Sequence, residues 1–125
     1  MKIAITSNGP TLESDVDPRF GRCKYFIVVD PDTKEYETLE NSSAASAGGA
    51  GIASGQTVVG KGVSAVLTGN CGPNAYQVLS SAGIQVITGV SGRVGEAIEL
   101  YRSGAFRTTA GPNVDAHFGM GERGK

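Results

Sequence analysis

Thr68-Gly69-Asn70-Cys71-Gly72 and Thr88-Gly89-Val90-Ser91-Gly92 are two copies of one pattern, Thr-Gly-x-x-Gly, twenty positions apart. Each follows a short apolar run and precedes a helical one. Pro73 suits the first turn of a helix, where a missing N–H is no loss. A glycine turn that feeds a helix leaves backbone N–H groups pointing outward, with the positive end of the helix dipole behind them. Such a place binds anions without any charged side chain. Gly69, Asn70, Cys71, Gly72 and Asn74 are the candidate contacts of the first turn, and the two turns are expected to share one rim.

The arginines add to this. Arg19 and Arg22 fall in the loop leaving the first strand, and Arg93 stands at the entry to the last helix. All three can lie at the end of the sheet where the glycine turns are. Phe20, between two of them, would supply an apolar wall, and Ser7 and Asn8 would edge the crevice. Asp15 and Asp17, flanking Val16, could orient the arginines by charge-assisted hydrogen bonds or be plain solvated loop acids; the competing reading leaves the arginines simply solvated, or paired with Asp15 and Asp17.

Catalytic groupings are thin. His117 is the single histidine and sits near the C-terminus, so a Cys–His or Ser–His pair would need the tail to fold back. Cys71, at a helix N-terminus, would have its thiolate favoured by the dipole and could meet a soft metal. One thiolate makes no closed tetrahedral site, and a small residue tolerated in a tight turn is the plainer account. Cys23, just before a strand, reads as structural.

These residues need elements to hold them. Lys2–Ser7, Tyr25–Asp30 and Lys34–Glu40 read as strands, the last two a hairpin with the third an exposed edge. The segment from Asn41 to Gly51 reads as a loop. A weak helix follows over Ile52–Lys61, with Ile52, Gln56 or Thr57, and Val59 as its apolar face. Val63–Thr68 and Ile84–Thr88 are strands. Ala75, Val78, Leu79 and Ala82, then Val94, Ala97, Ile98 and Tyr101, carry the i, i+3, i+4, i+7 stripe of amphipathic helices. The sum is an α/β fold with a five-stranded mixed sheet of order 3-2-1-4-5, strand 2 antiparallel, and three helices. This is the order of a ribonuclease H-like motif. Its switch point lies between strands one and four, where ligands bind beyond the carboxyl ends. A nuclease would need converging carboxylates there; the first strand has none, and the later strand ends offer Thr68, Asn70, Thr88 and Ser91.

The chain has 125 residues, 11 basic and 12 acidic, and a formal net charge of −1. That size suits one domain over residues 1–106, with residues 107–125 a flexible tail of glycine, proline and charge. The near-neutral balance argues against a general nucleic-acid binder. Nothing reads as a signal peptide or membrane span, and two distant cysteines fit a reducing compartment, so a cytoplasmic protein is expected. The 19 glycines imply close backbone approach, not a fibre.

Taken together, several motifs become recognisable. Ser14-x-Val16-x-x-x-Phe20-Gly21-Arg22-x-x-Tyr25-Phe26 resembles the N-terminal signature of the dinitrogenase iron–molybdenum cofactor biosynthesis domain. Asn41 with Gly48-Gly49-Ala50-Gly51, Thr68-Gly69-Asn70-x-Gly72-Pro73-Asn74-Ala75, and Val94-x-Glu96-Ala97 with Tyr101 and Gly104 are similar to its later blocks. The likeness covers about residues 1–104 and is nearest to the family's small single-domain members. It implies a ribonuclease H-like fold without nuclease residues. It also implies a non-enzymatic carrier or scaffold for a preformed anionic metal–sulfur cluster, a Mo–Cu sulfide or an Fe–Mo–S precursor. Proteins that deliver or accept the cluster would be its partners, with no nucleic acid and no membrane involved. Gly48, Gly49 and Gly51 would let backbone approach the cluster closely. The family pattern does not demand cysteine at position 71. Two other readings stand beside this one: a module for a small phosphorylated metabolite at the same rim, and a partner-binding domain that uses the tail.

Overall fold

The computed structural model describes residues 1–42 and 50–106. The expectations for Gly48, Gly49, His117 and the tail over 107–125 lie outside the described residues. The element order is β1 (Ile3–Ser7), β2 (Tyr25–Val29), β3 (Tyr36–Glu40), α1 (Ala50–Gly60), β4 (Ala65–Leu67), α2 (Pro73–Ser81), β5 (Gln85–Ile87) and α3 (Val94–Arg102). The sheet order is β3-β2-β1-β4-β5. β1 runs parallel to β4, and β4 to β5, while β2 is antiparallel to both its neighbours. No helix among the described residues is long and apolar enough to cross a membrane.

The strand interiors are apolar on both faces because helices cover both sides, as parallel strands require. Side chains alternate across the sheet. Ala4, Phe26, Val28, Val66 and Val86 point to one face and pack with Val58 of α1 and Ala75 and Leu79 of α2. Ile3, Ile5, Ile27, Val29, Leu67 and Ile87 point to the other and pack with Val94, Ala97 and Ile98 of α3. The molecule is thus three layers, with α1 and α2 opposite α3. β3 is the mostly exposed edge that its alternating pattern predicts.

The buried face of α1 differs from the one expected. Ala50, Ser54, Gly55 and Val58 are buried, whereas Ile52 is 39% exposed. The expected stripe followed the larger apolar side chains; the actual face is chosen by how near α2 must come. A β-carbon on Gly51 would stand 3.3 Å from the Ala75 Cβ, and one on Gly55 would stand 3.0 Å from Val78 Cγ1. Gly51 and Gly55 are therefore the contact itself, a small-x-x-x-small seam. Contacts that advance together along both chains, Gly51 with Ala75 and Gly55 with Val78, set the two helices parallel and side by side.

This packing separates two glycine substitutions of α1 in sign. Gly60 has no atom within 4 Å of where a β-carbon would go, so Gly60→Ala should stabilise by about 0.4–1 kcal/mol. Gly55→Ala gains similar helix propensity but overpacks against Val78, at a cost of about 1–3 kcal/mol, and should lower stability. Chemical denaturation of both variants, with Val78→Ala relieving part of the Gly55→Ala defect, measures the difference. Equal stabilisation at both sites would show that the helices do not meet at Gly55.

Candidate functional site

The loop between β1 and β2 decides what the rim looks like. It does not stand beside the carboxyl ends of the parallel strands; it lies across them. Gly95 N–H donates to the Leu12 carbonyl at 2.8 Å, Val94 N–H to Ser14 O at 2.9 Å, and Val16 N–H to Gly92 O at 2.8 Å. Asp17 N–H then donates to Thr6 O at 2.9 Å, and Phe20 N–H to Asn70 O at 3.2 Å. Between Ser14 and Phe20 the chain passes from the α3 side to the α2 side. The buried Thr6 hydroxyl donates to the Asp17 carbonyl at 2.7 Å and lies 2.9 Å from the Thr68 hydroxyl. Asn70 Nδ2 donates to the Pro18 carbonyl at 3.1 Å. These bonds pair backbone groups of the loop at several points along its crossing.

The two glycine turns do adjoin. Gly89 N–H donates to the Gly69 carbonyl at 2.9 Å and Val90 N–H to Thr68 O at 3.1 Å. Gly69 fits against the loop, since a β-carbon there would come within 2.6 Å of Pro18 Cα. The second turn, however, offers no open helix end. The carbonyls of Leu12 and Ser14 take the first N–H groups of α3, and Glu96 Oε1 accepts from Arg93 N–H at 3.4 Å. With peptide acceptors and its own acid in place, the α3 N-terminus is already satisfied. Arg93 is exposed there, its backbone bridged to Asp15.

Other expected contacts take different places. Phe20 does not line the rim: it is 2% exposed and packs on Phe26 with ring centroids 5.4 Å apart. The loop needs an apolar anchor, and Phe20 is that anchor. The Ser7 hydroxyl is spent locally, donating to the Gly9 carbonyl at 2.6 Å. Asn8 is exposed, its N–H donating to Asp15 O at 3.0 Å. Cys71 is 1% exposed, and its thiol donates to the Gly72 carbonyl at 3.8 Å. Burial pushes that thiol up to about 12, so the expected dipole-favoured thiolate does not form; loss of hydration outweighs the helix end. Cys23 is pushed up to about 12 as well, by burial and then by the nearby Asp17 charge.

What the structure brings together instead is the α2 N-terminus, the α1 N-terminus and Gly21. Gly72 caps α2 without a side-chain hydrogen bond, and Pro73 follows it. Asn74 is exposed in that first turn. A β-carbon on Gly21 would stand 3.0 Å from both Cα and N of Gly51, so the arginine loop, α1 and α2 meet backbone to backbone. Neither α1 nor α2 has an acid in its first turn, in contrast to α3. Arg22 is exposed beside Gly21, and Arg19 beside Asn70. A buried polar cluster locks the junction: Asn41 Nδ2 donates to the carbonyls of Cys23 at 2.9 Å and Gly21 at 3.2 Å, and Ser54 Oγ donates to Asn41 Oδ1 at 3.1 Å. Sequence reasoning missed Gly21, Asn41 and Ser54 in these roles, whereas pairing of Asp17 with an arginine was among its readings. The Gly51-x-x-x-Gly55 spacing was a usable signal for the seam. Among the described residues, no three of His, Cys, Asp and Glu gather as a metal-holding group.

Arg19 is held by Asp17, whose side chain is 3% exposed against 62% for the arginine. Asp17 Oδ1 accepts from Arg19 N–H at 2.9 Å and from Nε at 3.3 Å, and Oδ2 from Nη2 at 3.5 Å. The hydrogen bond and charge of Asp17 raise the guanidinium further above its ordinary value, so Arg19 stays charged.

The buried thiols give a pH dependence of definite sign. Below their ordinary value of 9.0 both keep their protons in the folded and unfolded chain alike. As pH climbs from 9.0 towards about 12 the unfolded chain ionises first, so folding stability falls. Urea unfolding at about pH 7 and about pH 10.5 should show a smaller loss in a Cys23→Ala/Cys71→Ala variant than in the wild type. Equal losses would mean the thiols are not the groups responsible.

Comparison with known proteins agrees with this fold. An uncharacterized protein of Methanocaldococcus jannaschii is 33% identical over 107 residues, 83% of this chain and 87% of the relative. The apo form of the orange protein from Desulfovibrio gigas superimposes with a TM-score of 0.87 at 41% identity, covering 90% of this chain and 95% of that one. A putative NifB protein from Thermotoga superimposes with a TM-score of 0.75 at 37% identity, covering 86% and 91%. The sequence model for dinitrogenase iron-molybdenum cofactor matches residues 1–104, and the chain belongs to that family.

Proposed function

We propose that this protein is a non-enzymatic carrier or scaffold that binds a preformed anionic metal–sulfur cluster, of the Mo–Cu–S or Fe–Mo–S type, without covalent ligands. The proposed seat is the junction of the α1 and α2 N-termini with Gly21, flanked by Arg19 and Arg22, with Gly69–Gly72 supplying the wall on the α2 side. Family membership and the likeness to the orange protein support a metal-cofactor role. One observation carries the location: α1 and α2 lie parallel with acid-free N-terminal turns side by side. Parallel dipoles repel at that separation, and an anion spanning both positive ends offsets the repulsion. A sulfide-rich polyanion accepts hydrogen bonds from peptide N–H and guanidinium groups over a wide surface. It needs no thiolate, and both thiols here are protonated and buried.

The test is reconstitution. Apoprotein incubated with tetrathiomolybdate and a copper salt should retain a visible chromophore in stoichiometric amount through a desalting column. Cys71→Ser should retain it too. Arg22→Gln should weaken retention by about tenfold, the loss of one charge-assisted contact. A chromophore that separates from the wild-type protein sinks the cluster reading. Inorganic phosphate that raises the melting temperature as much as thiomolybdate does would favour a phosphorylated metabolite instead.

A further inference from the structure

We infer that Asp17 is a positioning residue for anion binding, a carboxylate that fixes the Arg19 guanidinium towards the rim ligand even though its own charge repels that ligand. The inference rests on the cluster-binding reading above and goes beyond it by assigning a residue with the wrong sign of charge.

Asp17 is an expensive residue to keep where it is. A carboxylate removed from water costs stability unless it is paired and hydrogen-bonded. Here it is 3% exposed, with a partner that is mostly solvated, and an ion pair with one exposed member returns little stability. Folding alone gives weak reason for it. The loop backbone uses Oδ1 as an acceptor for the Arg19 N–H, which an amide oxygen would also offer, and so does not need the charge. Asp17 N–H and C=O are bound to Thr6, and the loop is fastened again at Asn70 through the Pro18 carbonyl and Phe20 N–H.

What the carboxylate does is hold one cation in one pose. Both of its oxygens are used on Arg19: Oδ1 takes the backbone N–H and Nε, and Oδ2 takes Nη2. These contacts fix the stem and one edge of the guanidinium while the side chain stays 62% exposed. The remaining N–H bonds of the fork are not engaged by Asp17. Arg19 itself is bridged to Asn70, the residue two before the cap of α2. A solvated arginine loses rotamer freedom when it binds an anion; one already fixed has lost it on folding. The arrangement spends Coulombic attraction to gain preorganisation.

The two contributions have opposite signs, which makes the test sharp. Asp17→Asn removes a negative charge from an anion site but keeps an Oδ1 that can accept the Arg19 N–H. Charge alone then predicts tighter binding, and positioning predicts weaker binding. The probe is tetrathiomolybdate with copper, titrated into apoprotein and read as the protein-retained visible chromophore. We expect Asp17→Asn to weaken retention by about fivefold or more, but to leave it unweakened or tighten it in an Arg19→Gln background, where only the repulsion remains to be removed, so that the two changes are strongly coupled. Asp17→Asn should destabilise less, or even stabilise, in the Arg19→Gln background, where the buried carboxylate has already lost its partner; a merely structural role would give coupling in melting temperature alone, whereas positioning gives it in binding as well. Arg19→Lys, at unchanged net charge and on an exposed side chain, should lose affinity as well, because an ammonium cannot be held through two edges. Unchanged or tighter binding in Asp17→Asn, or full binding in Arg19→Lys, overturns the assignment while leaving the cluster reading intact. Wild-type protein that retains no chromophore overturns both.

Discussion

Where Gly21 meets Gly51, two backbones approach so closely that one methyl group would have to displace main-chain atoms. One turn further along α1, Gly55 brings the helix equally near Val78 of α2. Everything at the candidate site follows from these contacts. They draw two parallel helices together at the ends where their dipoles are positive, and they bring the arginine loop to that place. A helix pair separated by ordinary side chains would lie about 8–10 Å apart between axes. The small-residue seam removes the side-chain layer on the α1 side, so that Ala75 and Val78 of α2 pack directly against the α1 backbone. The Asn41–Ser54 cluster then holds the Gly21 carbonyl from the far side, so the junction is fastened by buried hydrogen bonds as well as by shape.

The three helix N-termini do not share one fate. That of α3 is closed by loop carbonyls and by Glu96, within the same layer that buries Val94 and Ile98. Those of α1 and α2 carry no acid in the first turn. The loop from Leu12 to Phe20 is what separates them: it gives the Leu12 and Ser14 carbonyls to α3 and delivers Arg19 to the α2 side. Its own order depends on apolar anchors, Val16 into one core and Phe20 into the other. A segment rich in Asp, Pro and Arg is thus as firmly placed as a strand.

The sheet was legible in the sequence because apolar runs, turn residues and helical stripes all agreed about it. Strand order and the adjacency of the two Thr-Gly turns could be read for the same reason. The face of α1 was not legible, since hydrophobic periodicity ranks side chains by size and this helix is placed by residues that have almost none. Phe20 was read as an apolar wall of the crevice and Cys71 as a candidate contact in a tight turn; the structure buries both, because burial there is decided by a loop crossing the strand ends. Irregular segments pair their backbones without any period, so no pattern announces that crossing. Asp17 illustrates the limit: as one of two acids flanking Val16, it looked equivalent to Asp15. In the fold Asp17 is buried against Arg19, and Asp15 is exposed.

Holding a metal–sulfur cluster by dipoles and guanidinium groups, as proposed, suits a protein that must also give its cargo up. Thiolate ligation would tie release to ligand exchange at the metal, whereas an electrostatic seat lets go when a receiver presents a stronger field. The burial of both cysteines is consistent with that division of labour. Their thiols are pushed up to about 12 and enclosed in the apolar core, so near neutral pH neither competes with the cluster's own sulfides for metal. The same apolar packing that anchors the loop and seats α1 against α2 therefore keeps the chain's strongest metal ligands out of reach. In the proposed seat, selectivity is then left to the α1 and α2 N-termini and the exposed arginines, which the glycine contacts bring together.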